Sequence, residues 1–265
     1  MVTSNLTMIC LSLLLLFGCL QADVPAESGT PQPKEIIDLG ALVTEDLTLR
    51  VWGKRYPREL GYDRPNVFEV LPWPPGPIKG QNSYYTLFNH GGPHVDAPVH
   101  MGFEGGLDSY EVESFAGPLK VFDVSHLPFG RTVDRQVFDN ESIHVGDVVM
   151  IYTNYRPPAA DNEYQRVISL TYEAAEYLAQ IPIRAFATDA WSVDVGPGDR
   201  PTEPTSDSSV RAPVHTAFLS RGIPAFEQLF NVQSLLDKDN LFFVGQPLNI
   251  KDGDGMIVRP LVFVY

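Results

Sequence analysis

The chain has 265 residues, with 33 Asp and Glu against 19 Lys and Arg, for a formal charge of −14 at pH 7. That acidity excludes nucleic acid and anionic membrane surfaces as partners, since both repel it. Its two cysteines, Cys10 and Cys19, both fall in the first twenty residues. The rest of the chain therefore offers neither a disulfide nor a thiolate ligand, and any metal must be held by His and carboxylate.

The opening stretch "MVTSNLTMICLSLLLLFGCLQA" carries no charged residue. Its apolar run is about half the length of a membrane-spanning helix and suits a signal-peptide core. Residues 1–22 are read as a signal peptide cleaved after Ala22, which predicts a secreted protein with no membrane contact beyond that peptide. "LFGC" at Leu16–Cys19 leaves a lipid-anchored or retained form as the alternative. Residues 23–34, "DVPAESGTPQPK", are polar and Pro-rich and read as a flexible lead-in. Residues 35–265 then suffice for one well-packed domain and are too few for two comfortable ones.

Along that domain, "EIIDLGALV" (Glu35–Val43) reads as a first strand and turn, and "YYTLFNH" (Tyr84–His90) as a second strand. "LKVFDVS" (Leu119–Ser125), "DVVMIYT" (Asp147–Thr153), "IRAFATD" (Ile183–Asp189) and "NLFFVG" (Asn240–Gly245) are short apolar runs bounded by Gly, Pro or Asp, the pattern of buried strands. "NES" at Asn140–Ser142 is a glycosylation sequon and predicts a glycoprotein. "SLTYEAAEYLAQ" (Ser169–Gln180) predicts a helix capped by Ser169 or Thr171, and "APVHTAFLSRG" (Ala212–Gly222) a short helix with Pro at its start and Gly past its end. The C-terminus, "PLNI", "KDGDG" and "MIVRPLVFVY", reads as a hairpin about a turn. The long loops "LPWPPGPIKG" (Leu71–Gly80) and "GPGDRPTEPTSDSSVRAP" (Gly196–Pro213) each run into a His-bearing element and suit active-site walls. Strands outnumber helices and alternate with them only partly, which predicts an α/β or α+β domain around a mixed sheet.

Three of the six histidines fall within "HGGPHVDAPVH", His90 to His100. His90 and His94 are four apart, but Gly91, Gly92 and Pro93 between them make poor helix, so a helical zinc-protease motif is excluded. From His94, the residues His94, Asp96, Pro98 and His100 recur with period two, so an extended backbone points them to one side. Val95, Ala97 and Val99 face the other. Because Pro98 cannot donate to a ladder, the segment reads as an edge or irregular strand. Imidazoles and a carboxylate at such a turn suit Zn²⁺ or Mn²⁺; the alternative is a polar loop of hydrogen-bonded histidines. His126 and His144 lack such company and read as loop and strand-edge residues. Trp52, Trp73 and Trp191 are candidates for an aromatic wall.

The motif resembles the hallmark H-x-G-T-H-x-D-x-P-x-H of the metal-dependent cyclase-like hydrolases, a family that includes bacterial kynurenine formamidase and isatin hydrolase; Pro93 stands where the family has Thr. "IIDLG", "LKVFDVS", "GDVVMIYTNY" and "IRAFATDAWSVD" resemble later family segments in the same order. A second hallmark, a helical His followed twelve residues later by Glu, is matched by His215 and Glu227 in "HTAFLSRGIPAFEQL". The resemblance implies a single α/β domain with a barrel-like mixed β-sheet core and flanking helices, of the swivelling β/β/α type, assembled as a homo-oligomer (dimer). It implies His90, His94 and Asp96 as metal ligands, His100 as general acid/base, and His215 and Glu227 completing a site for one or two divalent ions, Zn²⁺ or Mn²⁺. The implied activity is hydrolysis of an amide bond in a small molecule, an aryl formamide or a lactam of N-formylkynurenine or isatin type, by metal-activated water. The alternative is a secreted, non-catalytic metal-binding or structural protein derived from the same fold.

Overall fold

The sheet grows outward from a strand that is buried at all five of its positions, β7 (Val148–Tyr152), as expected where both faces are covered. The computed structural model describes residues 31–47, 64–71, 75, 80–139, 141–156, 167–194 and 212–265. The chain divides into units 1–31 and 32–265, and every element named here lies in the second. In the sheet β5 (Ala116–Asp123) and β9 (Ala185–Thr188) flank β7 in parallel, and β10 (Ala225–Glu227) continues parallel beside β9. Beyond β5 the antiparallel strands β11 (Leu241–Val244), β13 (Leu261–Val264) and β1 (Glu35–Asp38) follow; beyond β10 come β4 (His94–Asp96) and β12 (Gly255–Ile257). Among the described residues two small sheets are separate from these nine strands: β2 (Val67–Leu71) with β3 (Asn82–Thr86), and β6 (Thr132–Val133) with β8 (Ser169–Leu170).

Side-chain alternation along the central strands divides the core. Val149 and Ile151 of β7 and Phe186 of β9 face α1 (Tyr172–Gln180) and α2 (Pro213–Leu219), meeting Ala174, Leu178, Val214 and Phe218. Phe186 stacks on Phe218 with centroids 4.9 Å apart; truncating either ring to Ala would cost about 3–5 kcal/mol. Val148 and Met150 point the other way, into a second cluster with Val95, Phe226, Phe243 and Val262. Thr171 caps α1 through its side-chain oxygen, which accepts from Ala174 N at 3.2 Å. Ser169, the other candidate cap, lies in β8 and donates to the Val193 carbonyl instead.

The sheet must curl. β12 and β13 are separated only by Val258, Arg259 and Pro260, yet they occupy the last and second places in the strand order. A flat sheet at ~4.8 Å per strand would put them about 33 Å apart, whereas the link spans at most about 14 Å. The link touches both margins: Val258 N donates to Pro93 O, just before β4, and Leu39 N, just after β1, donates to Pro260 O, both at 2.9 Å. The result is the expected α/β domain, with a curled, mixed half-barrel sheet and few helices. Among the described residues no helix is long and apolar enough to cross a membrane.

Several local expectations are corrected. The strand expected over Tyr84–His90 runs instead over Asn82–Thr86. The extended run from His94 stops at Asp96: Pro98–Met101 is one turn of 3₁₀ helix, started by Pro98 and closed by Gly102 at φ 78°. β4 is not an edge, since β10 and β12 pair with it on either side, and Pro98, outside the strand, costs the ladder no donor. The C-terminal hairpin does not form: its first arm, "PLNI" at 247–250, is no strand, and its second arm divides into β12, which pairs with β4, and β13, which pairs with β11 and β1. The two long loops lie mostly outside the described residues, and Asn140, Trp52 and Trp73 lie outside them altogether. Trp191 is buried against Val167 and Ala190 and provides packing rather than an open wall.

Candidate metal centre

β4 turns Val95 into the apolar core and His94 and Asp96 to the opposite side. Register then supplies the next carboxylate: Glu227 of β10 lies directly across from His94, and Gly255 of β12 across from Asp96. His90 reaches the same place from the turn before β4, where Gly92 adopts φ 101°. Its ring fits because position 255 has no side chain; a Cβ there would fall 2.6 Å from His90 Cε1. His215 arrives from α2, which Asp194 holds at its N-terminus. Val214 N donates to Asp194 Oδ1 at 2.9 Å and His215 N to Oδ2 at 3.1 Å.

Three imidazoles converge on two carboxylates. His90 Nδ1 lies 2.8 Å from Asp96 Oδ1, and His94 Nε2 lies 3.3 Å from the same oxygen and 3.5 Å from Glu227 Oε2. His215 Nε2 is 3.3 Å from Asp96 Oδ2 and 3.2 Å from Glu227 Oε1. In each ring the second nitrogen is held from behind: His90 Nε2 by Asp254 Oδ2 at 3.0 Å, His94 Nδ1 by Gly92 O at 2.8 Å, and His215 Nδ1 by Asp194 Oδ2 at 2.6 Å. The Gly92 carbonyl can only accept, so His94 carries its proton on Nδ1 and aims a lone pair inward. Glu227 is fixed in turn by Val193 N, which donates to Oε1 at 2.6 Å. Both Asp96 oxygens are buried without an aligned hydrogen-bond donor.

A buried carboxylate ringed by inward-facing nitrogens is electron-rich and needs a cation. The oxygen and imidazole donors, backed by carboxylates and a carbonyl, fit a divalent metal ion. His90, His94 and Asp96 bring ligand atoms within 4.8 Å of one another, as do Asp96, His100 and His215. Electrostatics agree. Burial works to strip the proton from His90, but the carboxylates of Asp254 and Asp96 against its two nitrogens outweigh it and hold the ring at about 9. Burial opposes charge on His215 too, and is overcome by Asp194, Asp96 and Glu227, so its pKa is raised. For Asp96 burial pushes upward, yet the surrounding histidines pull the carboxyl well below its usual range. In the absence of metal the cage is held together by protons that a dication would displace.

His100 is partly open to solvent. Its side chain is 31 % exposed, its ring lies 4.4 Å from that of His90 and 5.7 Å from that of His215, and its Nδ1 is 3.8 Å from Asp254 Oδ2. All six residues singled out in the sequence, His90, His94, Asp96, His100, His215 and Glu227, therefore gather in one place. His126 and His144 do not; the His144 side chain is exposed and pairs locally with Asp147. Two further carboxylates belong to the site without a comparable sequence signal: Asp194 in "WSVD", and Asp254, whose only mark in the sequence is the "GDG" around it. Gln228, which donates from Nε2 to His90 O at 3.2 Å, also gave no signal.

A family model described as "Putative cyclase" matches residues 37–195. The chain is 27 % identical to a kynurenine formamidase of Bacillus cereus over 203 residues, covering 76 % of this chain and 88 % of that protein. It is 29 % identical to a kynurenine formamidase of Salinibacter ruber over 178 residues, 66 % of this chain and 76 % of that one. Among solved structures, isatin hydrolase A from Ralstonia solanacearum superposes with a TM-score of 0.70 at 21 % identity, covering 87 % of this chain and 92 % of that one. An isatin hydrolase bound to the product analogue thioisatinate gives the same TM-score and coverage at 20 % identity. These two likenesses show a shared fold.

Proposed function

Because the chain belongs to the putative cyclase family, we propose that it is a metal-dependent hydrolase of a non-peptide amide C–N bond. The observation that carries this reading is the convergence of His90, His94 and His215 on Asp96 and Glu227, with His100 beside them and open to solvent. When bound, a divalent ion supplies Lewis acidity and lowers the pKa of a coordinated water to about 7. His90, His94 and Asp96 would hold it, with His215 and Glu227 completing the site for one or two ions. Nitrogen and oxygen donors without sulfur suit Zn²⁺ or Mn²⁺.

The protein's own part in turnover falls to His100. As the histidine of the cluster with a third of its side chain exposed, it can meet a substrate and exchange protons with solvent. It takes a proton from the attacking water and delivers it to the departing nitrogen, a transfer suited to an imidazole near neutral pH. An aniline-type nitrogen leaves more readily than an alkyl amine. The substrate class proposed is accordingly an aryl formamide or an aryl lactam, small enough to enter beside His100. The relatives named kynurenine formamidase support the same class. The proposal extends to a mature chain beginning after Ala22, exported, and active as a homodimer; the uncharged leader supports the first two points.

The test is metal analysis of the purified mature chain together with hydrolysis of N-formylarylamines, isatin and simple lactones. Metal-dependent release of an arylamine or a ring-opened product is expected. A metal-loaded protein that turns over no member of the panel would overturn the reading.

A further inference from the structure

The carboxylate of Asp254 lies between two histidines to which the proposed function gives different tasks. Its Oδ2 is 3.0 Å from Nε2 of His90 and 3.8 Å from Nδ1 of His100, whose rings lie 4.4 Å apart at an interplanar angle of 38°. Its other oxygen accepts from Asn89 Nδ2 at 2.7 Å, and that amide also donates to Gly255 O at 3.2 Å. The backbone is pinned as well: Ala97 N donates to Asp254 O at 3.0 Å, and the following Gly255 pairs with Asp96 across the β12–β4 ladder. A half-exposed aspartate in a turn would ordinarily be mobile. Here both oxygens and the carbonyl are committed, and all three commitments face the residues around β4.

We infer that Asp254 is a positioning residue that fixes His90 for metal binding and His100 for proton transfer through one shared oxygen. For His90, accepting a proton from Nε2 leaves Nδ1 as the nitrogen aimed at Asp96, so tautomer and ring angle are set together. For His100, an acceptor at Nδ1 leaves Nε2 to take and return the proton, the orienting role a buried carboxylate plays behind a catalytic imidazole. The His100 distance is that of an ion pair rather than a formed hydrogen bond, and such contacts tighten when substrate binds. Asp254 also brings a ligand atom within 4.8 Å of those of His90 and His100; its place is behind the two rings, acting through them, rather than that of a metal ligand. This inference rests on the hydrolase reading for His100, and independently of that reading for His90.

Asp254→Asn tests it, since the amide preserves shape and an acceptor for Asn89. Metal affinity, read by competition with a chromophoric chelator, is expected to weaken by about 10- to 100-fold while the number of ions bound at saturation is unchanged. With a substrate that the wild type hydrolyses, kcat should fall by about 10- to 100-fold. KM should stay within about threefold. Asn89→Ala, which frees the carboxylate but keeps its charge, should lower kcat several-fold and leave metal stoichiometry intact. Loss of one bound ion in Asp254→Asn would make Asp254 a ligand and overturn the inference. So would metal affinity and kcat within twofold of wild type. If the wild type hydrolyses nothing, the function fails; the chelator titration still decides the His90 half.

Discussion

Asp194→Ala should cost both stability and metal affinity, in amounts that follow from its three bonds. The carboxylate is buried, accepts from Val214 N and His215 N, and lies 2.6 Å from His215 Nδ1. α2 has no other side-chain cap, since Ala212 stands at its capping position at φ 50°. Truncation thus strands two helix N–H groups and a ring nitrogen in the interior. Loss of a helix cap costs about 1 kcal/mol, and a hydrogen bond to a charged group about 1.5–3 kcal/mol. With partial relaxation the total is about 3–5 kcal/mol, the range seen when one member of a buried pair is removed. His215 also loses the group that sets its tautomer, so metal affinity should fall by about 10- to 100-fold. Urea unfolding of the metal-free protein reads the first quantity, and chelator competition the second. Destabilisation below about 1 kcal/mol with affinity within twofold of wild type would refute the reasoning, because a buried acceptor with three partners cannot be removed without effect.

Further outcomes follow from the same geometry. His100→Ala should abolish turnover with metal retained, whereas His94→Ala should lose metal; activity assays paired with elemental analysis separate the two. Gly255→Ala places a Cβ 2.6 Å from His90 Cε1 and 2.8 Å from Val95 O, so it should weaken metal binding at least tenfold in a chelator titration. Pro93→Thr should change metal affinity by less than about threefold, because the Gly92 carbonyl, not position 93, orients His94. In the metal-free protein the stabilising proton on His90 is fully present below its ordinary value of 6.5 and lost as pH rises to about 9. The metal-free melting temperature should accordingly fall over that window, while apparent metal affinity climbs by about one decade per pH unit for each proton displaced.

What the sequence made legible was local or strongly patterned. The spacing of His94 and Asp96 put them on one side of a strand, and the buried runs at Val148–Tyr152 and Ala185–Thr188 became the parallel centre of the sheet. The prediction failed where a long-range pairing overrode a local pattern. Period-two spacing carried the strand through His100, but Pro98 begins a helical turn, and this turn brings His100 over the ring of His90. The C-terminus reads as a hairpin of "PLNI" and "MIVRPLVFVY" about the "KDGDG" turn; in the fold residues 247–250 form no strand, and the second arm divides into β12 and β13, which serve opposite margins of the sheet. Asp254 was illegible for the same reason. Its partners His90 and His100 lie over 150 residues away, and only the β12–β4 pairing brings them together.

Closing the sheet and building the metal centre are consequently one structural event. The link Val258–Pro260 joins the margins of the half-barrel, and the strand before it, β12, delivers Asp254 and the side-chain-free Gly255 to His90 and Asp96. Pro93, the residue that departs from the family's motif, sits on this seam. Its side chain lies among the buried residues Gly91–Pro98, and its carbonyl accepts from Val258 N. A proline there removes a backbone donor at a position whose observed work is to accept. It also restricts φ in the turn that carries His90 towards the cage. The substitution therefore falls on the closure of the sheet, while the carbonyl that orients His94 belongs to the residue before it.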